Sequence, residues 1–172
     1  MILGIDSGIK GGLVILSPNG LIVLAEKMPI DKEKRLLSKE ILELMNSVNY
    51  IVVEEQFVIA QLHKRQNPKA NFTTAYNYGK LCALAEVSGV KFGVVHPNTW
   101  QSAFTFAPVG VRKTKQHHIT LAKALAKHQG HLITNDGIAD AYLIALNSFD
   151  RISFAKKRNI DSNFFYNLFK IP

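Results

Sequence analysis

The chain has 172 residues, of which 47% are hydrophobic and 20% are charged. These proportions are ordinary for globular domains and exclude a disordered chain or a coiled coil. At this length we expect a single domain over residues 1–172. The 21 Lys and Arg outnumber the 13 Asp and Glu, which gives a formal charge of +8. Such a charge favours a polyanionic partner, nucleic acid before a membrane surface.

Cysteine usage and the length of the apolar runs indicate a cytoplasmic protein. The single cysteine, Cys82, cannot form an intrachain disulfide, and no Cys/His cluster has the spacing of a zinc site. The longest apolar runs are much shorter than the ~18 residues that a membrane span needs. The first residues lack the basic and apolar segments of a signal peptide. We therefore expect a cytoplasmic protein without a membrane partner.

The first third of the chain predicts four strands and one helix. Short apolar runs predict strands at residues 2–6, 13–16, 21–24 and 50–53. The turn at Pro18-Asn19-Gly20 is a strong hairpin signal, so the first three strands are predicted to form a meander. Apolar residues at helical spacing predict a helix over residues 31–48, with Asp31 as its N-cap.

The rest of the chain predicts helices separated by polar segments. Helices are predicted at residues 72–87, 114–127 and 136–148, a strand at 91–96, and loops at 58–71 and 105–113. Ala75, Gly79 and Ala83 recur at helical spacing, which lets that helix approach a sheet or a second copy of itself. Residues from 150 onward are basic and aromatic and have no predicted element. The order of elements predicts an α/β fold with a mixed sheet whose first strand is central.

Four acids follow apolar strands or share a helix face. Asp6 and Glu54 end predicted strands, and Asp136 and Asp140 lie one helical turn apart. Taken singly, each acid has an ordinary explanation as part of a turn, a solvated strand end or a helix cap. Gathered in one place, the four would repel each other unless a cation neutralised them. Oxygen ligands alone suit Mg²⁺ or Mn²⁺, and two such ions about 4 Å apart promote displacement at phosphorus.

Four sequence strings, in order, resemble the RuvC family of Holliday junction resolvases, within the ribonuclease H-like superfamily. The strings are GIDSGIKGG, VVEEQF, HPNTWQ and DGIADAYLIA, and together they extend over roughly residues 1–145. The similarity is greatest to members encoded by phages and prophages. It implies a ribonuclease H-like α/β fold in which helices flank a five-stranded mixed sheet, in agreement with the predicted order of elements.

The resemblance also implies which acids bind metal. The first aspartate of the family corresponds to Asp6, its strand-end glutamate to Glu54 and its final aspartate to Asp140. Bacterial members place an acid or a histidine three residues before the final aspartate, where this chain has Gly137. Asp136, one residue earlier, is therefore the expected fourth ligand, as in the phage-like form of the motif.

Two of these assignments have competitors. Neighbouring strand residues point to opposite faces, so physical reasoning alone leaves Glu54 and Glu55 open. The match of Phe57 to an aromatic that the family inserts at the junction favours Glu54. Lys115 falls near a lysine that the family places by the scissile phosphate, where a cation stabilises developing negative charge. Lys113 is its competitor, and a solvated helix start explains both lysines equally well.

The remaining expectations concern DNA contacts and packing around the site. The predicted DNA-contacting residues are Phe57, His63, Lys64, Arg65, Lys69, Arg112 and Lys113. The basic ones among residues 63–69 suit contacts to the DNA backbone, although a hydrophilic loop explains them as well. Trp100 and Gln101 are expected to pack beneath the site. The histidines at 117, 118, 128 and 131 are expected at the surface.

The resemblance implies a metal-dependent endonuclease that resolves four-way DNA junctions by paired nicks, in recombination and repair. It implies two Mg²⁺ ions per site, with Mn²⁺ as a substitute, and a homodimer in the cytoplasm of a bacterium or a phage-infected cell. Two alternatives stay open: a flap, fork or RNA nuclease of the same superfamily, and a non-catalytic basic DNA-binding module. An actin-like ATPase or sugar kinase shares the opening Gly-Ile-Asp-x-Gly pattern but needs a much longer chain.

Overall fold

The structure is a computed structural model that describes residues 1–56, 68–104 and 115–157. For residues 68–71, 115–116 and 154–157 it describes the backbone alone. Most of the loop predicted at 58–71, the loop predicted at 105–113 and the last fifteen residues lie outside the described residues. Residues 68–71, predicted as the end of the first loop, are instead the first turn of a helix.

One mixed sheet of five strands forms the centre of the described residues. The strands are β1 (Ile2–Ile5), β2 (Gly12–Leu16), β3 (Ile22–Lys27), β4 (Tyr50–Glu54) and β5 (Lys91–Val95). Their order across the sheet is β3-β2-β1-β4-β5. β1, β2 and β3 form an antiparallel meander, whereas β4 and β5 run parallel to β1. The central position of β1 confirms the predicted mixed sheet.

Helices cover both faces of this sheet. In the described residues they are α1 (Ser38–Asn46), α2 (Pro68–Val87), α3 (Pro97–Ala103), α4 (Lys115–His128) and α5 (Asp136–Lys157). Apolar residues of α1 and α2 share one core with alternate strand residues such as Leu3 and Ile5. Residues of α3, α4 and α5 share the other core with Val14 and Val52. The alternation of side chains along each strand thus supplies both cores.

The helix predicted over residues 31–48 is shorter than expected, and Asp31 is not its N-cap. α1 begins at Ser38, and its N-cap position is held by Leu37, whose side chain makes no capping hydrogen bond. Asp31 instead accepts hydrogen bonds from the backbone N–H and the Nε of Arg35, at 2.8 and 2.7 Å. Local hydrogen bonds of an aspartate to its own turn compete with helix formation, which explains the late start.

Two helices differ from the predictions based on apolar spacing: α3 was not predicted, and α5 is longer than predicted. α3 begins with Pro97 directly after β5, and His96 caps it by accepting the Asn98 N–H on Nδ1 at 3.0 Å. α5 continues past the predicted end at residue 148 to Lys157. Among the described residues, none of the helices combines the length and apolarity needed to cross a membrane.

β1 and α5 are in backbone contact, and glycine makes this contact possible. A Cβ atom placed on Gly4 would lie 2.5 Å from the carbonyl oxygen of Ala141 and 2.7 Å from the Cβ of Ala145. The first of these atoms is backbone and the second is the Cβ of an alanine, so neither is the end of a flexible side chain that could move aside. Any side chain at position 4 would therefore force α5 away from the sheet.

We expect Gly4→Ala to lower the free energy of unfolding by about 1–3 kcal/mol, as overpacking of a well-packed core does. Gly8→Ala is the matched control, because in the described part of the chain its Cβ would meet no atom closer than 3.6 Å. We expect that control to change stability by less than about 1 kcal/mol. Urea denaturation followed by circular dichroism measures both, and equal effects would contradict the packing argument.

Candidate active site

The carboxyl ends of the parallel strands β1, β4 and β5 meet at one edge of the sheet. β2 begins at this edge, and Gly11, just before it, pairs with Gly137 in the first turn of α5. The start of α5 therefore lies at the same edge as the ends of β1 and β4. We call this region, with Asp6, Glu54, Asp136 and Asp140, the acidic edge.

Asp6 directly follows β1 and is half-buried. Because Gly4 faces α5, the alternation of the strand puts Asp6 on the α5 side as well. Its Oδ1 accepts the Gly8 N–H at 3.2 Å, and its own N–H donates to the Gly12 carbonyl at 3.1 Å. Ile5 pairs with Val53, so continuing the register puts Asp6 beside Glu54 on the neighbouring strand.

Glu54 is the last residue of β4 and is only 8% exposed. The indole Nε1–H of Trp100 donates to its Oε1 at 2.9 Å, and the Gln56 amide donates to Oε2 at 3.2 Å. The hydroxyl of the buried Ser7 donates to the Glu54 backbone carbonyl at 3.1 Å. Donors from α3 and from the segments that follow β4 and β1 thus hold this residue, and a carboxylate acceptor makes the two hydrogen bonds to its side chain strong.

Glu55 lies on the opposite side of the sheet from Glu54. It approaches Cys82 on α2: burial raises the pKa of the Cys82 thiol, and the charge of Glu55 adds to that rise. α2 contributes to the core on the face away from α5. The two neighbouring glutamates are therefore separated by the sheet, and Glu54 is the one that shares a face with Asp6.

The start of α5 is held against the β1–β2 turn. Asn135 caps the helix by accepting the Ile138 N–H on Oδ1 at 3.2 Å. A Cβ atom on Gly137 would collide with the Lys10 carbonyl oxygen and with Gly11, so no side chain fits there. The helix therefore has no room for an acid at position 137.

The two predicted acids of α5 differ in exposure. Asp136 lies in the first turn and is exposed, whereas Asp140, one turn later, is 9% exposed.

The donor chemistry of the acidic edge fits a hard divalent cation, because all four predicted ligands are carboxylates. Asp6 and Glu54 lie side by side on adjacent strand ends, and Asp140 is on the helix that packs across those strands. Across residues 1–56, 68–104 and 115–157, however, no group of three or more His, Cys, Asp or Glu is arranged to hold a metal ion. The ligand types fit the cation, but the described side chains do not converge on one point.

Most of the predicted DNA-contacting residues lie outside the described part of the chain. Those outside it are Phe57, His63, Lys64, Arg65, Arg112 and Lys113. Lys69 is in the first turn of α2, and Lys115 begins α4, but the structure gives only their backbone. All of these contacts stay predictions.

Two packing expectations have opposite outcomes. Trp100 packs beneath the acidic edge as expected, in direct contact with Glu54. His118, expected at the surface, is instead buried, with its ring 5.6 Å from the Trp100 ring and tilted by 57°. His118 follows the first turn of α4 on the face that packs toward α5, and a single polar residue on such a face does not reveal its burial. The hydrogen bond from Ser7 was not predicted either, because Ser7 pairs with β4 and not with its own turn.

No protein-family model matches the sequence, and no curated protein sequence matches it. Several solved structures do resemble this one. RuvC from Thermus thermophilus, in complex with Holliday junction substrate, is 19% identical over 92% of this chain and 96% of that chain, with a TM-score of 0.62. A second structure of Thermus thermophilus RuvC is 19% identical over 88% of this chain and 96% of that chain, with a TM-score of 0.60.

A eukaryotic protein resembles this chain to a similar degree. The yeast mitochondrial Holliday junction resolvase Ydc2 is 17% identical over 95% of this chain and 83% of that chain, with a TM-score of 0.56. The likeness to all three structures extends over most of this chain. The chain therefore has the fold of the RuvC-type Holliday junction resolvases.

Proposed function

We propose that this chain is a divalent-metal-dependent endonuclease that cuts branched DNA and resolves four-way junctions by paired nicks. The observation that carries the proposal is the placement of Glu54, a buried carboxylate beside Asp6 on the face covered by α5. Two neighbouring carboxylates repel each other, and burial adds the loss of hydration, so such a pair at a sheet edge indicates a function. One structural neighbour is bound to Holliday junction substrate, which supports the choice of DNA.

The four acids share one role in the proposed mechanism, which is to hold metal ions. Asp6, Glu54 and Asp140, with the more exposed Asp136, would hold two Mg²⁺ or Mn²⁺ ions. Such ions would supply the chemistry of the reaction, lowering the pKa of an attacking water and stabilising the leaving oxygen. The turn around Asp6 and the donors around Glu54 keep both carboxylates oriented, so little reorganisation is needed during reaction. Lys115 would stabilise negative charge on the phosphate that is cut.

A basic helix borders the site and supports binding to a polyanion. α4 (Lys115–His128) contains three lysines and three histidines and no acid. Lys123, Lys127 and His128 are exposed, while His118 on the same helix packs on Trp100 beneath the acidic edge. Exposed lysines of this kind suit sequence-independent contacts to phosphates, and these position DNA without reading its sequence.

Paired nicks on opposing strands need two sites, so we propose a homodimer with a two-fold contact. The candidate surface is the exposed face of α2 formed by Ala75, Gly79 and Ala83, which we call the small-residue face. A Cβ atom on Gly79 would meet no atom of the described residues within 4 Å, so this face does not pack on the sheet. Phe72 and Tyr76 beside it are exposed and stacked, with ring centroids 6.2 Å apart.

The substrate is tested by comparing a synthetic four-way junction with a fork, a flap, linear duplex and an RNA–DNA hybrid, in Mg²⁺ and then Mn²⁺. We expect symmetrical nicks in the junction and an intact linear duplex. Equal cutting of forks and flaps would indicate a branch nuclease, and cutting of the hybrid an RNA nuclease. Tight binding without cutting in either metal would indicate a DNA-binding module.

The metal-ligand assignment is tested by Glu54→Gln against Glu55→Gln. We expect Glu54→Gln to lower the cutting rate by at least about a hundredfold, because a ligand to the catalytic ions is lost. Glu55→Gln is the matched control on the other face of the sheet and should cut like the parent chain. Loss of cutting in the control alone would contradict the assignment.

The dimer surface is tested by Ala83→Glu in sedimentation velocity. A glutamate at this position would place like charges opposite each other across a two-fold contact, so we expect a monomer. Ala124→Glu adds the same side chain at an exposed position of α4 and should leave the dimer intact. A parent chain that sediments as a monomer, alone and on junction DNA, would rule out the small-residue face as a dimer contact.

A further inference from the structure

Trp100 is the only tryptophan of the chain, and it is 1% exposed. A buried indole N–H needs an acceptor, and many such groups find a backbone carbonyl. This one donates to the Oε1 of Glu54 at 2.9 Å instead. The indole therefore acts directly on the orientation of one carboxylate of the acidic edge.

Two helices fix the position of the indole ring. α3 begins immediately after β5, the neighbour of β4, so Trp100 in its first turn is brought beside the end of β4. The His96 cap and Pro97 at the helix start define where that turn begins. The buried ring of His118 from α4 packs against the indole at 5.6 Å. With its ring held by both helices, the N–H is a fixed donor and not an adaptable one.

We propose that Trp100 is a positioning residue that orients the Glu54 carboxylate for a divalent cation and thereby sets the cation affinity of the acidic edge. This inference rests on the proposed metal-dependent function. The terminal torsion of a glutamate is broad, so an unrestrained carboxylate would sample many orientations. A carboxylate offers about four lone-pair sites, so a hydrogen-bond donor such as Trp100 and a cation can bind the same group. Donors that orient metal ligands in this way commonly change metal affinity by about 10–100-fold.

The same contact makes Trp100 a spectroscopic reporter of Glu54. Because the chain has no other tryptophan, its indole fluorescence comes from this residue alone. Binding of Mg²⁺ to the Glu54 carboxylate changes the charge density at the acceptor of the indole N–H. Mg²⁺ should therefore alter the Trp100 emission in the parent chain and in Glu55→Gln, but not in Glu54→Gln.

The test compares Trp100→Phe, which keeps an aromatic ring and removes the N–H, with Tyr142→Phe. Tyr142 is equally buried, and its hydroxyl accepts from the Gln129 amide at 3.1 Å, so the control also removes one hydrogen bond from a buried aromatic. Calorimetric titration with Mn²⁺ and no DNA measures affinity, and circular dichroism confirms folding. We expect Trp100→Phe to weaken Mn²⁺ binding about tenfold and Tyr142→Phe to leave it unchanged. Junction cutting by Trp100→Phe should recover at saturating Mg²⁺.

Unchanged Mn²⁺ affinity in folded Trp100→Phe would overturn the proposal, as would equal weakening in both variants. If Trp100→Phe does not fold, the fluorescence titration decides: an emission change that persists in Glu54→Gln, or is missing from the parent chain at saturating Mg²⁺, overturns it. The two proposals can also fail separately. If the parent chain cuts no DNA but Trp100→Phe still binds Mn²⁺ more weakly than the parent, the positioning role is supported and the nuclease function is rejected.

Discussion

The close contact between α5 and the backbone of β1 and the β1–β2 turn is the constraint on which the acidic edge depends. Gly4, Gly12 and Gly137 leave no room for a Cβ atom, so strand and helix meet backbone to backbone. This contact fixes where α5 begins relative to the ends of β1 and β4. It also fixes the turn of α5 from which Asp140 is presented, because a helix that cannot shift along its axis keeps the Cα atom of that residue in place.

Next to that contact, the alternation of side chains along β4 places neighbouring residues on opposite faces of the sheet. Glu54 and Glu55 are adjacent in sequence, yet one is buried beside Trp100 on the α5 side and the other lies near Cys82 on α2. The hydrogen bond from Ser7 to the Glu54 carbonyl links the ends of β1 and β4 just where both acids occur. The two strand ends are thus held together by protein groups.

Much of the fold was predictable because its signals are local. The meander follows from the Pro18-Asn19-Gly20 turn, and the central place of β1 follows from the order of the elements. The late start of α1 was not predictable from apolar spacing, because the pairing of Asp31 with Arg35 competes with the helix. At the site, the resemblance favoured Glu54, but its indole donor and the buried His118 depend on packing between distant segments. The sequence also shows that Gly137 stands where bacterial members of the family have an acid or a histidine. The cause, a close contact with the backbone of Gly11, is visible only in the structure.

The exclusion of side chains from position 137 has an evolutionary consequence. A chain with its acid at 136 cannot gain one at 137 by substituting Gly137 alone, because the new side chain would displace the β1–β2 turn that carries Gly11. Such a change requires an earlier retreat of that turn, which would also disturb the hydrogen bonds around Asp6. A change between an acid at position 136 and an acid at position 137 therefore needs several mutations together. Lineages that have one of these arrangements are expected to keep it.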